Sequence, residues 1–315
     1  MKRESIMLNH AFTVPEQKKY RYIIHTDCKN EADDQFTVAH ILMTEKLDVK
    51  GIIAGHFNQC GGRYPDGKTA KASYDEVEKI VDLMHLEGRY PILMGAEKPF
   101  LDECTPVDSE GARFIIEEAM KEDERPLYIG MQGSITDLAS AILMKPEICG
   151  RMTAIWIGGG NYPEGGEEYN LLQDIAAANV VFKSKMPLWQ IPKDVYKQMA
   201  VSLAELQLKV KPYGKIGNYL FCQMTDLNMA SAHIPHWPHG EIWALGDEGV
   251  ISVLMEETEK KDTYHLVEAP VVTPDMKYIH GQTKRKIRVY HTLNTRMDLE
   301  DFFAKLQINF PNQDS

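Results

Sequence analysis

The chain has 315 residues, 43% hydrophobic and 26% charged, which is enough apolar content for a sizeable core and too much for a disordered segment. A net charge of −11 without a long basic run argues against nucleic-acid binding, and the lack of any run of about 18 apolar residues argues against a membrane span. Five cysteines (Cys28, Cys60, Cys104, Cys149, Cys222), widely spaced and without a CxxC, make neither a disulfide framework nor a zinc site, so a cytoplasmic location is expected.

Residues 1–19 read as a polar leader without the apolar stretch of a signal peptide, and 20–315 as a single domain. YRYIIHT (20–26) reads as a first strand, and DDQFTVAHILMTEK (33–46) as a helix with two acids in its first turn, where the helix dipole favours them. DVKGIIAGH (48–56) is a second strand. SYDEVEKIVDLMHLEG (73–88) is a helix, with Val77, Ile80, Val81 and Met84 on one face and Gly88 as a stop. YPILMG, PLYIGM, TAIWIGGG and MPLWQIP follow as strands. Between them lie the helical stretches SEGARFIIEEAMKED, SITDLASAILMKPE and QDIAAANVVFKSK. Beyond residue 200, LAELQLKV, KIGNYLFCQMTDLNMA, DEGVISVLMEET and MDLEDFFAKLQ read as helices. HIPHWPHGEIWAL reads as a loop, and YHLVEAPVVT and KRKIRVYHTL as a late pair of strands. Near-continuous apolar strands alternating with helices predict an α/β fold, a mostly parallel central sheet with helices on both faces.

In open sheets of this kind ligands sit beyond the carboxyl ends of the strands. The segments there are rich in acids, amides and glycines: TDCKNEADD, GHFNQCGGRYPDG, GMQGSITD and GGGNYPEGGEEYN. Asp27, Glu31, Asp33 and Asp34 crowd one loop. Helix capping would use one of the paired acids, but Asp27 ends a buried strand and is not needed for a cap. Oxygen-rich clusters suit hard cations such as Ca²⁺ or Mg²⁺. The glycine-rich segment lacks the dinucleotide fingerprint, and Asn161, Glu168 and Asn170 within it have the side chains to bind polyol hydroxyls. Asp247, before an apolar helix, is either an N-cap or a further metal carboxylate. The histidines His233, His236 and His239 have no metal-site spacing, and no G-x-S-x-G elbow is present.

Taken together, these segments resemble the inosine–uridine type of nucleoside hydrolase, in a divergent branch. That family opens with a strand ending in D-x-D-x-x-x-D-D, to which IIHTDCKNEADDQF is similar. GSITDLASAIL, IGGGNYPEGGEEYNLLQDIAAANVVF, IPKDVYKQM and LGDEGVISVLM resemble the family's later segments, in order, between residue 20 and about 310. The resemblance implies a Rossmann-like open sheet and Ca²⁺-dependent hydrolysis of the N-glycosidic bond of ribonucleosides or related ribosides. It implies a Ca²⁺ held by Asp27, Asp34, Asp247 and the backbone carbonyl of Gln132, with Asp27 also the general base. Asp33, Asn161, Glu168 and Asn170 would hold the ribose, with Asn58 a looser match. It also implies a homo-oligomer, dimer or tetramer. The alternatives are a non-catalytic, calcium-dependent carbohydrate-binding relative and a hydrolase of another glycoside.

Two departures stand out. Five residues separate Asp27 from Asp33 where the family has three. Matching by strand end puts Asp27 at a metal position, whereas matching by distance to the Asp pair puts Lys29 there; the strand match is preferred because loops absorb insertions. The histidine that precedes the family's last metal aspartate is Gly246 here, so a leaving-group proton must come from elsewhere, with Tyr169 or the HIPHWPH loop as sources.

Overall fold

YRYIIHT forms the strand on which the rest is assembled, β1 (Tyr20–Thr26), buried in all but its first residue. The computed structural model describes residues 8–256 and 262–312. In chain order β1 is followed by α1 (Asp34–Leu42), β2 (Leu47–Ala54), α2 (Thr69–Leu83), β3 (Ile92–Met94), α3 (Glu110–Met120), β4 (Leu127–Met131) and α4 (Thr136–Met144). Next come β5 (Thr153–Ile157), α5 (Tyr169–Gln173), α6 (Ile175–Lys183), β6 (Leu188–Ile191), α7 (Lys193–Tyr196), β7 (Ala200–Ser202), α8 (Leu203–Lys209) and α9 (Gly214–Ala230). The described chain closes with β8 (Ile242–Ala244), α10 (Gly249–Met255), β9 (Tyr264–Glu268), β10 (Val271–Val272), β11 (Tyr278–Ile279), β12 (Lys286–Tyr290) and α11 (Thr295–Asn309).

Eight strands make one sheet in the order β3-β2-β1-β4-β5-β6-β12-β9. All neighbours run parallel except β12 and β9. Side chains alternate between the faces, as strand geometry requires. Tyr22 and Ile24 enter a core shared with α1, α2, α8, α9, α10 and α11, whereas Ile23 enters one shared with α3, α4 and α6. Both faces are therefore covered, and the apolar strand runs are explained. From β1 the chain builds outward through β2 and β3, then returns with β4 on the other side. That reversal opens a crevice at the carboxyl ends of β1 and β4, where open α/β sheets place ligands.

The sequence reading needs adjustment at several ends. The helix expected over 33–46 stops at Leu42, and the Thr44 hydroxyl donates to the His40 carbonyl at 2.8 Å as the chain turns into β2. The loop expected over 233–245 ends in β8, which pairs antiparallel with β7. The helix expected from Asp247 begins at Gly249, and residues 257–258 of that expectation lie outside the described residues. Of the polar leader, residues 1–7 lie outside the described residues; Asn9 donates from its backbone to Asn309 Oδ1 on α11 at 2.9 Å. Among the described residues no helix is long and apolar enough to cross a membrane, and all five cysteines are free.

Candidate active site

Asp27 follows the last residue of β1, and its side chain is 1% exposed. Asp33 and Asp34 begin α1, and Asp247 lies in the short turn before α10. These four line a pocket with Asn30, Glu31, Gln132, Ile157, Glu168, Tyr169, Asn170, Tyr196 and Gly246. The pocket encloses about 350 Å³ of space when its open, solvent-filled mouth is included. One carboxylate oxygen from each of Asp33, Asp34 and Asp247 lies within 4.8 Å of the others. Asp27 stands outside that group of three and lines the same pocket.

Neither capping reading is realised. Asp33 occupies the N-cap position of α1, but its side chain makes no cap bond and instead accepts the Asp247 backbone N–H at 3.3 Å. Asp247 does not cap α10, which starts after Glu248. Asp34 accepts the Thr26 hydroxyl, and one oxygen of Asp27, Oδ2, is buried without any partner. No lysine or arginine lines the pocket among the described residues. Lys29 pairs with Glu76 at 2.9 Å instead, so the register that would place Lys29 at a metal position does not bring it to the pocket. Arg63 is spent on Asn30, donating to its carbonyl at 2.9 Å and to its Oδ1 at 3.1 Å.

Buried carboxylates without a cation hold their protons more tightly. Burial, then the Asp34 and Asp33 charges, pushes Asp27 well up. Burial and Asp33 push Asp34 up to about 7, burial pushes Asp33 up to about 6, and burial with Asp33 and Asp34 pushes Asp247 well up. Glu31 is raised by burial and by the neighbouring Asp33. The donor set is all oxygen, it is anionic, and one of its atoms lacks any partner. It fits a hard divalent cation.

The segment after β5 reaches the pocket because it is pinned. Gly166 N–H donates to the Met276 carbonyl at 2.8 Å and Tyr278 N–H to the Glu164 carbonyl at 3.1 Å, so the β10–β11 hairpin holds this loop. Gly165 and Gly166 take φ of +77° and +123°, which side-chain-bearing residues avoid. Glu168 then caps α5. Its carboxylate accepts the N–H groups of Gly159 and Leu171 at 2.8 Å each, Asn170 N–H at 3.1 Å and the Tyr196 hydroxyl at 3.0 Å. Four bonds fill the carboxylate, so Glu168 shapes the pocket rather than offering free acceptors. Asn170 donates from Nδ2 to the carbonyls of Gln132 and Ile157, at 3.0 and 2.9 Å, tying β4 to β5; its Oδ1 remains available to a ligand hydroxyl. The Gln132 side chain, 1% exposed, has no partner on either polar atom.

Two expected sugar contacts are not brought in. Asn161 is exposed and outside the pocket lining. Asn58 donates to the Glu97 carbonyl at 2.7 Å and accepts from Thr69 at 2.6 Å, which makes it a brace between loops. His233, His236 and His239 are exposed and do not line the pocket, which removes that loop as a proton source in this geometry. Tyr169 does line it, with its hydroxyl buried and close to Arg63. Asn30 and Tyr196 also line the pocket, and sequence reasoning did not single them out, although Asn30 lies in the acidic loop and Tyr196 within the family-like segment IPKDVYKQM.

The chain matches the profile of the inosine-uridine preferring nucleoside hydrolases over residues 22–303. It is 23% identical over 298 residues to a pyrimidine-specific ribonucleoside hydrolase of Klebsiella pneumoniae, covering 86% of this chain and 89% of that one. Its fold is similar to that of a purine-preferring ribonucleoside hydrolase from Gardnerella vaginalis, with a TM-score of 0.72 and 18% identity over 92% of this chain and 99% of the other. A plant nucleoside hydrolase gives a TM-score of 0.71 at 15% identity, covering 91% and 98%.

Proposed function

This chain belongs to the inosine-uridine preferring nucleoside hydrolase family and is an N-glycosyl hydrolase of ribonucleosides, and we propose that it works through the Asp27–Asp33–Asp34–Asp247 pocket with a bound Ca²⁺. The observation that carries this is four buried aspartates in one pocket, with no lysine or arginine in its lining among the described residues. Asp34, Asp247, Asp27 and the Gln132 carbonyl would hold the ion. When bound, the ion would offset two of the cluster's negative charges and lower the pKa of a nearby water. Asp27, with a free buried oxygen, accepts a proton from the attacking water. Asp33 and the Asn170 Oδ1 accept from the ribose hydroxyls. As the C1′–N bond breaks, positive charge grows on the sugar ring, and the surrounding carboxylates stabilise it. Water oxygen bonds to C1′ as the C1′–N bond breaks, and the departing base takes a proton from a donor in the pocket, for which Tyr169 is the candidate. The free cysteines fit a reducing cytoplasm. A homo-oligomer remains an expectation from the family resemblance.

The test is ribose release from purine and pyrimidine ribonucleosides with Ca²⁺ and with a chelator. Release that stops with chelator, and falls by about 10²–10⁴ in Asp27→Asn, is the expected result. No release from any nucleoside by Ca²⁺-loaded protein overturns the proposal and favours a carbohydrate-binding role.

A further inference from the structure

The two segments that supply the pocket's aspartates also supply a second polar cluster. His40 lies on α1, six residues beyond Asp34, and Glu248 directly follows Asp247. Helix α11 adds Asp298, Asp301 and Lys305. His40, Glu248 and Asp298 are each 0% exposed, and one ligand atom from each lies within 4.8 Å of the others. None of these three lines the pocket.

Most buried polar groups have partners, and this cluster leaves several without. Both oxygens of Asp298 and Oε1 of Glu248 are buried and make no hydrogen bond among the described residues. The Tyr22 hydroxyl, which feels the Glu248 charge, is also bare. These bare oxygens are acceptors that a cation would satisfy.

The imidazole is already set as a metal ligand's would be. His40 Nε2 contacts Asp301 Oδ2 at 3.0 Å, and Lys305 holds the same carboxylate. A carboxylate on the far nitrogen fixes the ring and its tautomer in metal-binding histidines. The other nitrogen, Nδ1, lies 2.8 Å from Glu248 Oε2, a hydrogen bond whose proton an entering ion would displace. Charge agrees. Burial lowers the pKa of His40, but the Glu248 charge and the bonds to Asp301 and Glu248 raise it to about 9, so it carries a proton. Three ionised carboxylates against His40 and Lys305 leave one negative charge, which a divalent ion that displaces the imidazole proton cancels.

We propose that His40 Nδ1, Glu248 and Asp298 bind a divalent transition ion of the zinc class, at a site separate from the pocket. One imidazole and two carboxylates suit such ions. Ligands about 2.1 Å from one ion stand roughly 3.4 Å apart, so Glu248 and His40 part slightly to admit it. The ion clamps α1, the 246–248 turn and α11 together, and so fixes Asp34 and Asp247, which the first two carry. The competing occupant is a pair of protons with trapped water.

Metal analysis of the full-length chain decides between them. Protein expressed with zinc supplementation, dialysed natively against EDTA, should retain about one equivalent of tightly held metal, released only on denaturation. The open pocket loses its ion in the same dialysis. Asp298→Asn should lose the retained equivalent, and Asp34→Asn should keep it. Refolding the wild-type chain with Co²⁺ should give a visible absorption band, a readout that needs no variant to fold. Wild-type protein with less than about a tenth of an equivalent after dialysis and no Co²⁺ band on refolding overturns the proposal. So does retention of the ion by a folded Asp298→Asn protein.

Discussion

Gly133 offers a direct test of whether the position of Asp27 governs turnover. A methyl group at Gly133 would stand 2.6 Å from Asp27 Cγ and 2.9 Å from its Cβ and Oδ1. Gly133 is not among the glycines with positive φ, so alanine is acceptable to the backbone and the effect isolates the clash. The Gly133 carbonyl accepts the Trp156 indole N–H at 3.1 Å, which holds the peptide in place, so Asp27 must give way. Carbon–carbon contact needs about 3.5 Å, so the carboxyl has to retreat by roughly 0.9 Å. Misplacement of about 1 Å in a reacting group costs on the order of 10² in rate, or about 2.7 kcal/mol of barrier. Gly133→Ala should therefore lower kcat/KM by about 10² on ribonucleosides, with a Tm loss limited to that of a modest overpacking. Steady-state kinetics at saturating Ca²⁺, with Tm measured alongside, checks this. A folded Gly133→Ala enzyme within about threefold of wild type would refute the reasoning, because Asp27 would then tolerate displacement or not be the base.

Two further outcomes follow from the pocket. Tyr169 carries a buried hydroxyl near Arg63 whose pKa is raised by burial and then by Asp27, so it keeps its proton at neutral pH. Tyr169→Phe should lose about 10²-fold or more in kcat on nucleosides yet only a few-fold on p-nitrophenyl riboside, whose leaving group needs no proton; equal losses on both would remove Tyr169 as the donor. Asp34 titrates at about 7 in the folded, metal-free chain, above its unfolded value, so its contribution to stability is present at acid pH and lost as pH rises from about 4 through 7. Chelator-treated Asp34→Asn should therefore have a Tm above chelator-treated wild type at pH 7.5, with the gap closing toward pH 4 and Ca²⁺ raising only the wild type; a gap that does not change with pH contradicts this.

Much of the architecture was legible because it depends on local patterns. β4 and β5 are near-continuous apolar runs, and β1 has one at its centre, Tyr22–Ile24, as burial on both faces of a sheet favours. Val77, Ile80 and Val81 mark α2 by helical periodicity. The short strands β7 and β8 were not legible, since three residues carry too little periodicity, and their pairing joins positions 200 and 244. The paired acids looked like caps in sequence, and only the folded chain shows that Asp33 makes no cap bond and that both acids line a pocket.

The sequence alone determined that carboxylates end the first strand and open the first helix, and that glycines and amides follow the later strands. It also carried the order of segments that marks the family. Tertiary structure decided which of these residues meet. Strand order brings Asp27 beside Gln132, and the turn before α10 sets Asp247 against Asp33 across 214 residues of chain. The hairpin at 271–279 fixes the Glu168 loop, while Asn58 and Asn161, equally plausible in sequence, fall outside. The physical reason is that residue type and spacing set what a segment can do locally, whereas a site needs groups from several segments at one point. Which groups converge depends on strand order, loop pinning and the packing of both faces of the sheet.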